Sequence, residues 1–174
     1  MSEHVGAPGL ALRNATWQTD QPALMSVRRA VFVIEQGIAE SEEIDEYDPR
    51  CRHVLASVGD LVVGTGRLAP SGKIGRIAVL RDHRGLGIGI AIVRHLVNQA
   101  TELELAEVYL HAQAESVGFY ERLGFRAEGP IFDEVGIPHR RMRRGIERAD
   151  GTTTGSTRNT EHPDLARGVS GDGG

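Results

Sequence analysis

Cysteine is almost absent from this sequence: the 174 residues contain one, Cys51. A lone cysteine cannot form a disulfide within the chain or a metal site built from several thiolates, and a free thiol is ordinary in a reducing compartment. The sequence therefore excludes a disulfide-stabilised scaffold and a zinc module, and we expect no metal cofactor.

The chain also has no excess of positive charge, since 20 lysines and arginines stand against 24 acidic residues and the formal net charge is −4. Proteins that bind nucleic acid gain much of their affinity from counterions released by clustered lysines and arginines. We therefore expect no nucleic-acid partner.

Long hydrophobic runs are absent as well. No stretch approaches the roughly 18 apolar residues of a membrane-spanning helix, and the first residues lack the basic start and apolar core of a secretion signal. A chain of 174 residues with 40% hydrophobic content is typical of one globular domain with its own core. We expect a cytoplasmic protein with no membrane partner.

The composition changes near residue 149. Residues 149–174 contain six glycines and five threonines, and Leu165 and Val169 are their sizeable apolar side chains. Such a segment buries too little apolar surface to offset the entropy lost on ordering. The sequence predicts a folded domain over 1–148 and a disordered tail over 149–174.

The spacing of apolar residues predicts alternating strands and helices. A strand over 10–17 precedes a helix that we expect to begin at an Asp20 N-cap and to end near Gln36. Residues 40–48 hold six acids and little apolar surface, which predicts a solvated loop.

Two hairpin signals follow and predict a three-stranded antiparallel meander of 53–58, 61–68 and 73–80. An amphipathic helix comes next. A strand over 107–112, a short helix ending at Gly124 and two last strands complete the order. This order predicts an α/β fold, a mixed sheet with helices on its faces.

The most informative segment is Arg84-Gly85-Leu86-Gly87-Ile88-Gly89, between a predicted strand and the amphipathic helix. Alternate glycines let the backbone approach a ligand, and the helix N-terminus offers unpaired N–H groups and a positive dipole end. This pattern indicates an anion site, with a glycine-rich turn that only packs the helix on the sheet as the alternative. Ile90 stands where a dinucleotide fingerprint requires glycine or alanine, and no Gly-Lys-Ser/Thr follows to make a P-loop.

Two motifs in this order carry a family resemblance. Arg84-x-x-Gly87-x-Gly89 is followed by a strand ending in His111-Ala112-Gln113 and then by Phe119-Tyr120-Glu121-Arg122-Leu123-Gly124-Phe125. The combination resembles the GCN5-related N-acetyltransferase (GNAT) superfamily, and the segment from Arg28 to Gln36 resembles its ElaA-like branch. The resemblance covers about 12–146 and implies a mixed, mostly antiparallel sheet with helices on both faces and splayed central parallel strands.

The resemblance implies acetyl-CoA as the acyl donor. The pantetheine arm would pair with the backbone edge of Ile77, Ala78 and Val79, as an added strand does, and Gln113 would bond a pantetheine amide. Arg84 would supply a guanidinium to the pyrophosphate. The backbone N–H groups expected to bind the pyrophosphate are those of Gly85, Gly87, Ile88, Gly89 and Ile90.

Tyr120 matches the family tyrosine that acts on the departing thiolate. A tyrosine near pKa 10 is a weaker acid than a thiol near 8.5, so we expect it to stabilise the thiolate by a hydrogen bond. Many superfamily members place a glutamate on the strand before the phosphate loop, and this strand has no acid. The general base therefore stays open, with His139 and Glu35 as the leading candidates. The other candidates are Asp45, His111 and Glu134.

The resemblance implies direct transfer of an acetyl group from acetyl-CoA to a primary amine in a ternary complex. Cys51 lies outside the motifs, so no acyl-cysteine is expected. A CoA-binding sensor or structural module is the first alternative, because the strand acid is absent, and a nucleotide-phosphate binder is the second. The acceptor, the acyl-chain preference and the oligomeric state, a homodimer included, stay open.

Overall fold

The computed structural model describes residues 7–147, which form two antiparallel sheets with helices on both faces. The first sheet has the strand order β1-β2-β3-β4 and the second the order β5-β7-β6. The strands are β1 Leu10–Ala15, β2 Arg52–Val58, β3 Leu61–Leu68, β4 Ile74–Val79, β5 Glu107–Gln113, β6 Arg126–Glu134 and β7 Ile137–Gly145. The α/β prediction and the predicted meander are confirmed.

Within residues 7–147, four α-helices connect or cover the strands. They are α1 Trp17–Arg28, α2 Glu40–Glu43, α3 Ile88–Glu102 and α4 Val117–Glu121. A π-helical segment, Arg29–Glu35, continues α1 without a break. In the described part of the chain, no helix is both long and apolar enough to cross a membrane.

The start of α1 differs from the prediction. Thr16, in extended conformation, is the N-cap, and its hydroxyl accepts a hydrogen bond from the Thr19 backbone N–H. Asp20 lies inside the helix, where its carboxylate accepts from the Thr16 N–H at 3.0 Å. The prediction of Asp20 as the N-cap was wrong, because threonine is also a favourable N-cap residue and Thr16 precedes Asp20 in the chain.

The acidic segment 40–48 is not the solvated loop that its composition predicted. It contains α2, and the side chains of Glu43 and Asp48 are 2% and 0% exposed. Both carboxylates pair with Arg28, which is itself 0% exposed. The prediction failed because it counted apolar surface and did not consider a buried cation as the partner.

Helices cover both faces of the first sheet. Val54 belongs to the core cluster built around α3, whereas its neighbour Leu55 packs with Leu24 of α1. Consecutive strand residues point to opposite faces, so α3 and α1 lie on opposite sides. Two glycines of β3 let α3 approach closely, since a Cβ on Gly64 or Gly66 would lie 2.8 Å from an Ile92 methyl carbon.

The two sheets meet at one parallel backbone bridge between Lys73 and Tyr109, within residues 7–147. Beyond this bridge β4 and β5 share no ladder in the described chain, and residues of both strands line one cleft. The expected splayed parallel strands are therefore present. The predicted domain boundary at 148 and the tail 149–174 lie outside the described residues.

Candidate functional site

A cleft of about 1140 Å³ opens where β4 and β5 diverge. Its walls come from both sheets, the end of the π-helix, the acidic segment and the glycine segment. All of the site residues predicted from the sequence line it. They are Glu35, Asp45, Ile77, Ala78, Val79, Arg84, Gly85, Gly87, Ile88, Gly89, Ile90, His111, Gln113, Tyr120, Glu134 and His139.

The glycine segment turns sharply into α3. Gly85 and Gly87 have φ angles of +77° and +79°, which favour glycine, and Gly87 is the N-cap of α3. Gly89 has no positive φ, and a Cβ there would lie 3.4 Å from the Phe119 ring, an ordinary van der Waals contact. The first residues of this long helix therefore line the cleft beside a glycine-rich turn, as an anion site requires.

The edge of β4 that faces the cleft has no strand beside it past Lys73, among the described residues. Its other edge pairs with β3, and the ladder is interrupted by a bulge near Arg76, whose φ is +53°. The Ile77–Val79 segment, which follows the bulge, lines the cleft. This edge can accept a peptide-like chain as an additional strand.

Arg84 and Glu35, predicted to have separate roles, form one ion pair. Arg84 Nη1 and Nη2 donate to the two Glu35 carboxylate oxygens at 2.7 and 2.8 Å, and Arg84 Nε donates to the Val79 carbonyl at 2.9 Å. The hydrogen bonds from Arg84 hold the pKa of Glu35 below its usual range. Two of the five guanidinium N–H groups stay available for a ligand.

Gln113 contacts a residue that the sequence analysis missed. Its Nε2 donates to Gln36 Oε1 at 2.8 Å, so the end of the π-helix touches β5 as well as the glycine segment. The signal was the position of Gln36, directly after Glu35 in the ElaA-like segment. Through Glu35, which pairs with Arg84, and Gln36, which bonds Gln113, the end of the π-helix connects the glycine segment to β5 across the gap between the sheets.

Tyr120 stands on α4 with its half-buried ring against two phenylalanines. The ring packs edge to face on Phe119 and on Phe125, with centroids 4.9 and 5.8 Å away. Burial raises the pKa of Tyr120 to about 12. The hydroxyl is therefore protonated throughout the neutral range and can donate a hydrogen bond to an anion.

Glu134 lies between two histidines. His111 Nδ1 is 3.1 Å from Glu134 Oε1, and His139 Nε2 is 3.6 Å from Glu134 Oε2. His139 Nδ1 lies 2.7 Å from the Ile137 carbonyl, which assigns the proton to Nδ1 and the lone pair to Nε2. Burial raises the pKa of Glu134, but the His111 hydrogen bond and the nearby Lys73 charge outweigh it, so the net shift is downward.

Asp45 is tied to arginines of the sheet. Its oxygens accept from Arg67 at 2.6 and 2.8 Å and from Arg76 at 3.4 Å. Burial raises the pKa of Asp45, but the two arginines more than offset this and lower it to about 2. A carboxylate of this kind is a poor proton acceptor, and its pairing fixes the acidic segment over the cleft.

The buried ions behind Asp45 were not foreseen. Arg28 Nη1 donates to Asp48 at 2.8 Å, its Nε pairs with Glu43, and Asp48 also accepts from Arg67 at 2.7 Å. The sequence contained a signal for this buried network, because Arg28 lies one helical turn after Leu24 on the apolar face of α1, and a buried charge needs partners of opposite charge.

The described residues contain no group of three histidine, cysteine, aspartate or glutamate side chains that could hold a metal ion. What the cleft offers is an anion cradle, a free strand edge, a phenolic donor and a histidine acceptor in one continuous space. These groups suit a long anionic molecule with an amide-bearing arm that delivers its reactive end beside Tyr120 and His139.

Comparisons with known proteins agree with this geometry. The chain matches the family model described as "Acetyltransferase (GNAT) domain" over residues 22–145. It is 32% identical over 135 residues to the protein ElaA of Escherichia coli, covering 73% of this chain and 88% of ElaA. It is 38% identical over 120 residues to a Bacillus subtilis protein described as the uncharacterized N-acetyltransferase YjcF, covering 67% and 86% of the two chains.

Solved structures give the same result. An acyl-CoA N-acyltransferase from Pseudomonas aeruginosa superposes with a TM-score of 0.69 at 30% identity, covering 78% of this chain and 99% of that one. Escherichia coli ElaA superposes with a TM-score of 0.70 at 29% identity, with the same coverage of 78% and 99%. The resemblance found in the motifs is confirmed: the chain belongs to the ElaA-like branch of the GNAT superfamily and is an acyl-CoA N-acyltransferase.

Proposed function

We propose that this enzyme transfers the acetyl group of acetyl-CoA directly to a primary amine in a ternary complex. The observation that carries the proposal is the free edge of β4, which runs alongside the cleft toward the N-terminus of α3. A single molecule with a diphosphate at one end and amides along its arm matches both features. Acetyl-CoA is such a molecule.

The diphosphate binds to the backbone N–H groups at the start of α3, with the remaining N–H groups of Arg84 at its side. The pantetheine amides pair with the backbone of Ile77–Val79, and the Gln113 amide is within the same cleft to bond them. A backbone N–H near Val79 polarises the thioester carbonyl. Such a donor contributes on the order of 3 kcal/mol to the transition state.

The transfer forms one C–N bond and breaks one C–S bond. The substrate ammonium first loses a proton, its nitrogen lone pair attacks the thioester carbon, and the nitrogen then loses a second proton. His139 Nε2, which carries the lone pair, accepts the first proton, passes it to solvent and then accepts the second. Glu35 and Asp45 are both engaged with arginines. Tyr120 donates a hydrogen bond to the departing thiolate, which takes its proton from solvent.

Cys51 supports direct attack over an acyl-enzyme. Its thiol is buried and is not among the residues that line the cleft. Burial raises the pKa of the Cys51 thiol, which disfavours the reactive thiolate.

Thermal unfolding with acetyl-CoA, CoA and ATP tests the cofactor, and release of free thiol across a panel of amines tests the reaction. A ligand at 100 times its dissociation constant stabilises the protein by about 2.7 kcal/mol, so acetyl-CoA and CoA should raise the unfolding temperature and ATP should not. Stabilisation by ATP alone, or by CoA without thiol release from any primary amine, contradicts the proposal. Cys51→Ala is the matched control and should keep full turnover.

A further inference from the structure

Lys73 occupies the closed end of the cleft, where the two sheets touch. Its backbone bridges Tyr109, its carbonyl accepts from the Ala69 N–H at 2.9 Å, and the Tyr109 N–H donates to the neighbouring Gly72 carbonyl at 3.1 Å. The backbone at Lys73 is therefore held in place from both sheets. Its half-buried side chain lines the cleft.

Lys73 differs from the arginines that line the same cleft. Arg67 pairs with Asp45 and Asp48, Arg76 with Glu43 and Asp45, and Arg84 with Glu35. Within residues 7–147, no carboxylate lies within 4.0 Å of the Lys73 ammonium. Lys73 is thus the one lysine or arginine of the cleft, in the described chain, whose charge is not already matched by an ion pair.

Glu134 presents the opposite charge to the same space. Its side chain is 42% exposed, and it is carried by a tight turn whose residues Val135 and Gly136 have φ angles of +49° and +75°. Its Oε1 is engaged by His111, whereas Oε2 faces His139 Nε2 at 3.6 Å. In the assigned tautomer both of these atoms are acceptors, so a group with two N–H bonds, such as an ammonium, satisfies both.

Lys73 and Glu134 form no ion pair within 4.0 Å, but they lie close enough for the Lys73 charge to lower the pKa of Glu134, and both line the cleft beside the proposed base. A plain alkylamine would leave Lys73 unmatched, and a polyamine would bring a second positive charge toward it, which is unfavourable. An acceptor with a carboxylate close to its amine matches both charges at once.

We propose that the acceptor is a free amino acid, its ammonium held by Glu134 and His139 and its carboxylate by Lys73. The inference rests on the proposed acyl transfer and adds the substrate class. Deprotonation to His139 Nε2 frees the nitrogen lone pair in place. Because the product amide carries no positive charge, Glu134 then loses its hold on it, and the N-acyl amino acid dissociates.

Thiol release at saturating acetyl-CoA tests this with matched acceptors: each of the common amino acids, its carboxamide, and the amine that lacks the carboxyl group. We expect at least one amino acid to exceed its carboxamide and its amine about tenfold in kcat/KM, a difference of about 1.4 kcal/mol. Lys73→Met should remove this preference by raising the KM for the amino acid, and Lys73→Arg should largely restore it. Neither variant should change the stabilisation by CoA.

Arg52→Met, on the exposed start of β2, is the control and should leave the preference unchanged. Equal use of amino acids and carboxamides, or a preference that survives Lys73→Met, overturns the inference and leaves acyl transfer to amines intact. A failure of the proposed function itself is distinguishable, since no amine of any class would then release thiol.

Discussion

Glu35 accepts hydrogen bonds from both terminal nitrogens of Arg84, at 2.7 and 2.8 Å, across 49 residues of sequence. The pair joins the end of the π-helix to the segment that turns into α3. It also cancels the side-chain charge beside the proposed diphosphate site, so the backbone N–H groups of α3 carry most of the anion recognition.

Replacing each partner alone should give opposite effects on cofactor affinity. Glu35→Gln leaves Arg84 charged and unopposed, so acetyl-CoA should bind as tightly or more tightly, with a steeper dependence on salt. Arg84→Gln leaves Glu35 charged beside the diphosphate and should weaken binding by about tenfold. Titration calorimetry at low and high salt measures both.

The same variants test Glu35 as a base, the second candidate from the sequence. If Glu35→Gln keeps turnover near the native rate, the base lies elsewhere; loss of turnover with unchanged acetyl-CoA affinity would instead move the role from His139 to Glu35. The double variant Glu35→Arg with Arg84→Glu is the matched control, because it restores the ion pair while reversing its polarity.

Tyr120→Phe should lower kcat by about tenfold to a hundredfold and leave the dissociation constant of CoA within about twofold. The variant removes a hydrogen bond to a charged thiolate, and such bonds contribute about 1.5–3 kcal/mol. Since the pKa of Tyr120 is raised to about 12, its ionisation should not appear in the pH–rate profile below pH 10. Tyr47→Phe, at a tyrosine of the acidic segment that lines the same cleft and is 52% exposed, serves as the comparison. An unchanged kcat would remove Tyr120 from the chemistry.

Arg28→Met should destabilise the fold by about 3–5 kcal/mol, because it removes the buried cation shared by Glu43 and Asp48 and leaves them, among the described residues, with only Arg76 and Arg67 as cationic partners. The next residue offers a matched control: Arg29 pairs with Glu40 at the surface, where the two side chains are 54% and 47% exposed. Arg29→Met should cost less than about 1 kcal/mol. Urea unfolding compares the two, and equal losses would show that the buried network contributes no more than a surface pair.

The ion pairs of Asp45 should make the fold sensitive to acid. Its pKa in the folded protein is about 2, below the usual 3.8, so its contribution is complete above about pH 5 and is lost as the pH falls toward 2. Burial raises the pKa of Glu43, so protonation of Glu43 at falling pH favours the folded state and opposes the effect of Asp45 on the unfolding free energy. Asp45→Asn should therefore flatten the fall in unfolding free energy between pH 5 and pH 2.5, measured by urea unfolding; an unchanged slope would contradict the assignment.

The features that the sequence predicted well are local. The glycine segment is readable because positive φ angles and a helix N-terminus follow from neighbouring residues, and the meander follows from alternation and turn residues. The π-helix Arg29–Glu35 was not predicted, because its apolar positions fit the spacing of an ordinary α-helix equally well. The pairing of Arg28 with Glu43 and Asp48 depends on the folded path of the chain, which spacing does not encode. Which residue of the cleft is the base stays a prediction.

Among residues 7–147 the two sheets share one backbone bridge, between Lys73 and Tyr109, so the gap between them is part of the fold itself. A ligand that pairs with the free edge of β4 displaces no strand, so the proposed binding of acyl-CoA would add a strand to the first sheet without breaking a ladder. In the free protein the unpaired edge of β4 is open to water, and the proposed binding of acyl-CoA would shield it. The amide protons of Ile77–Val79 that point into the gap should therefore exchange quickly with solvent in the free enzyme and slowly in the complex, as amide exchange would record residue by residue.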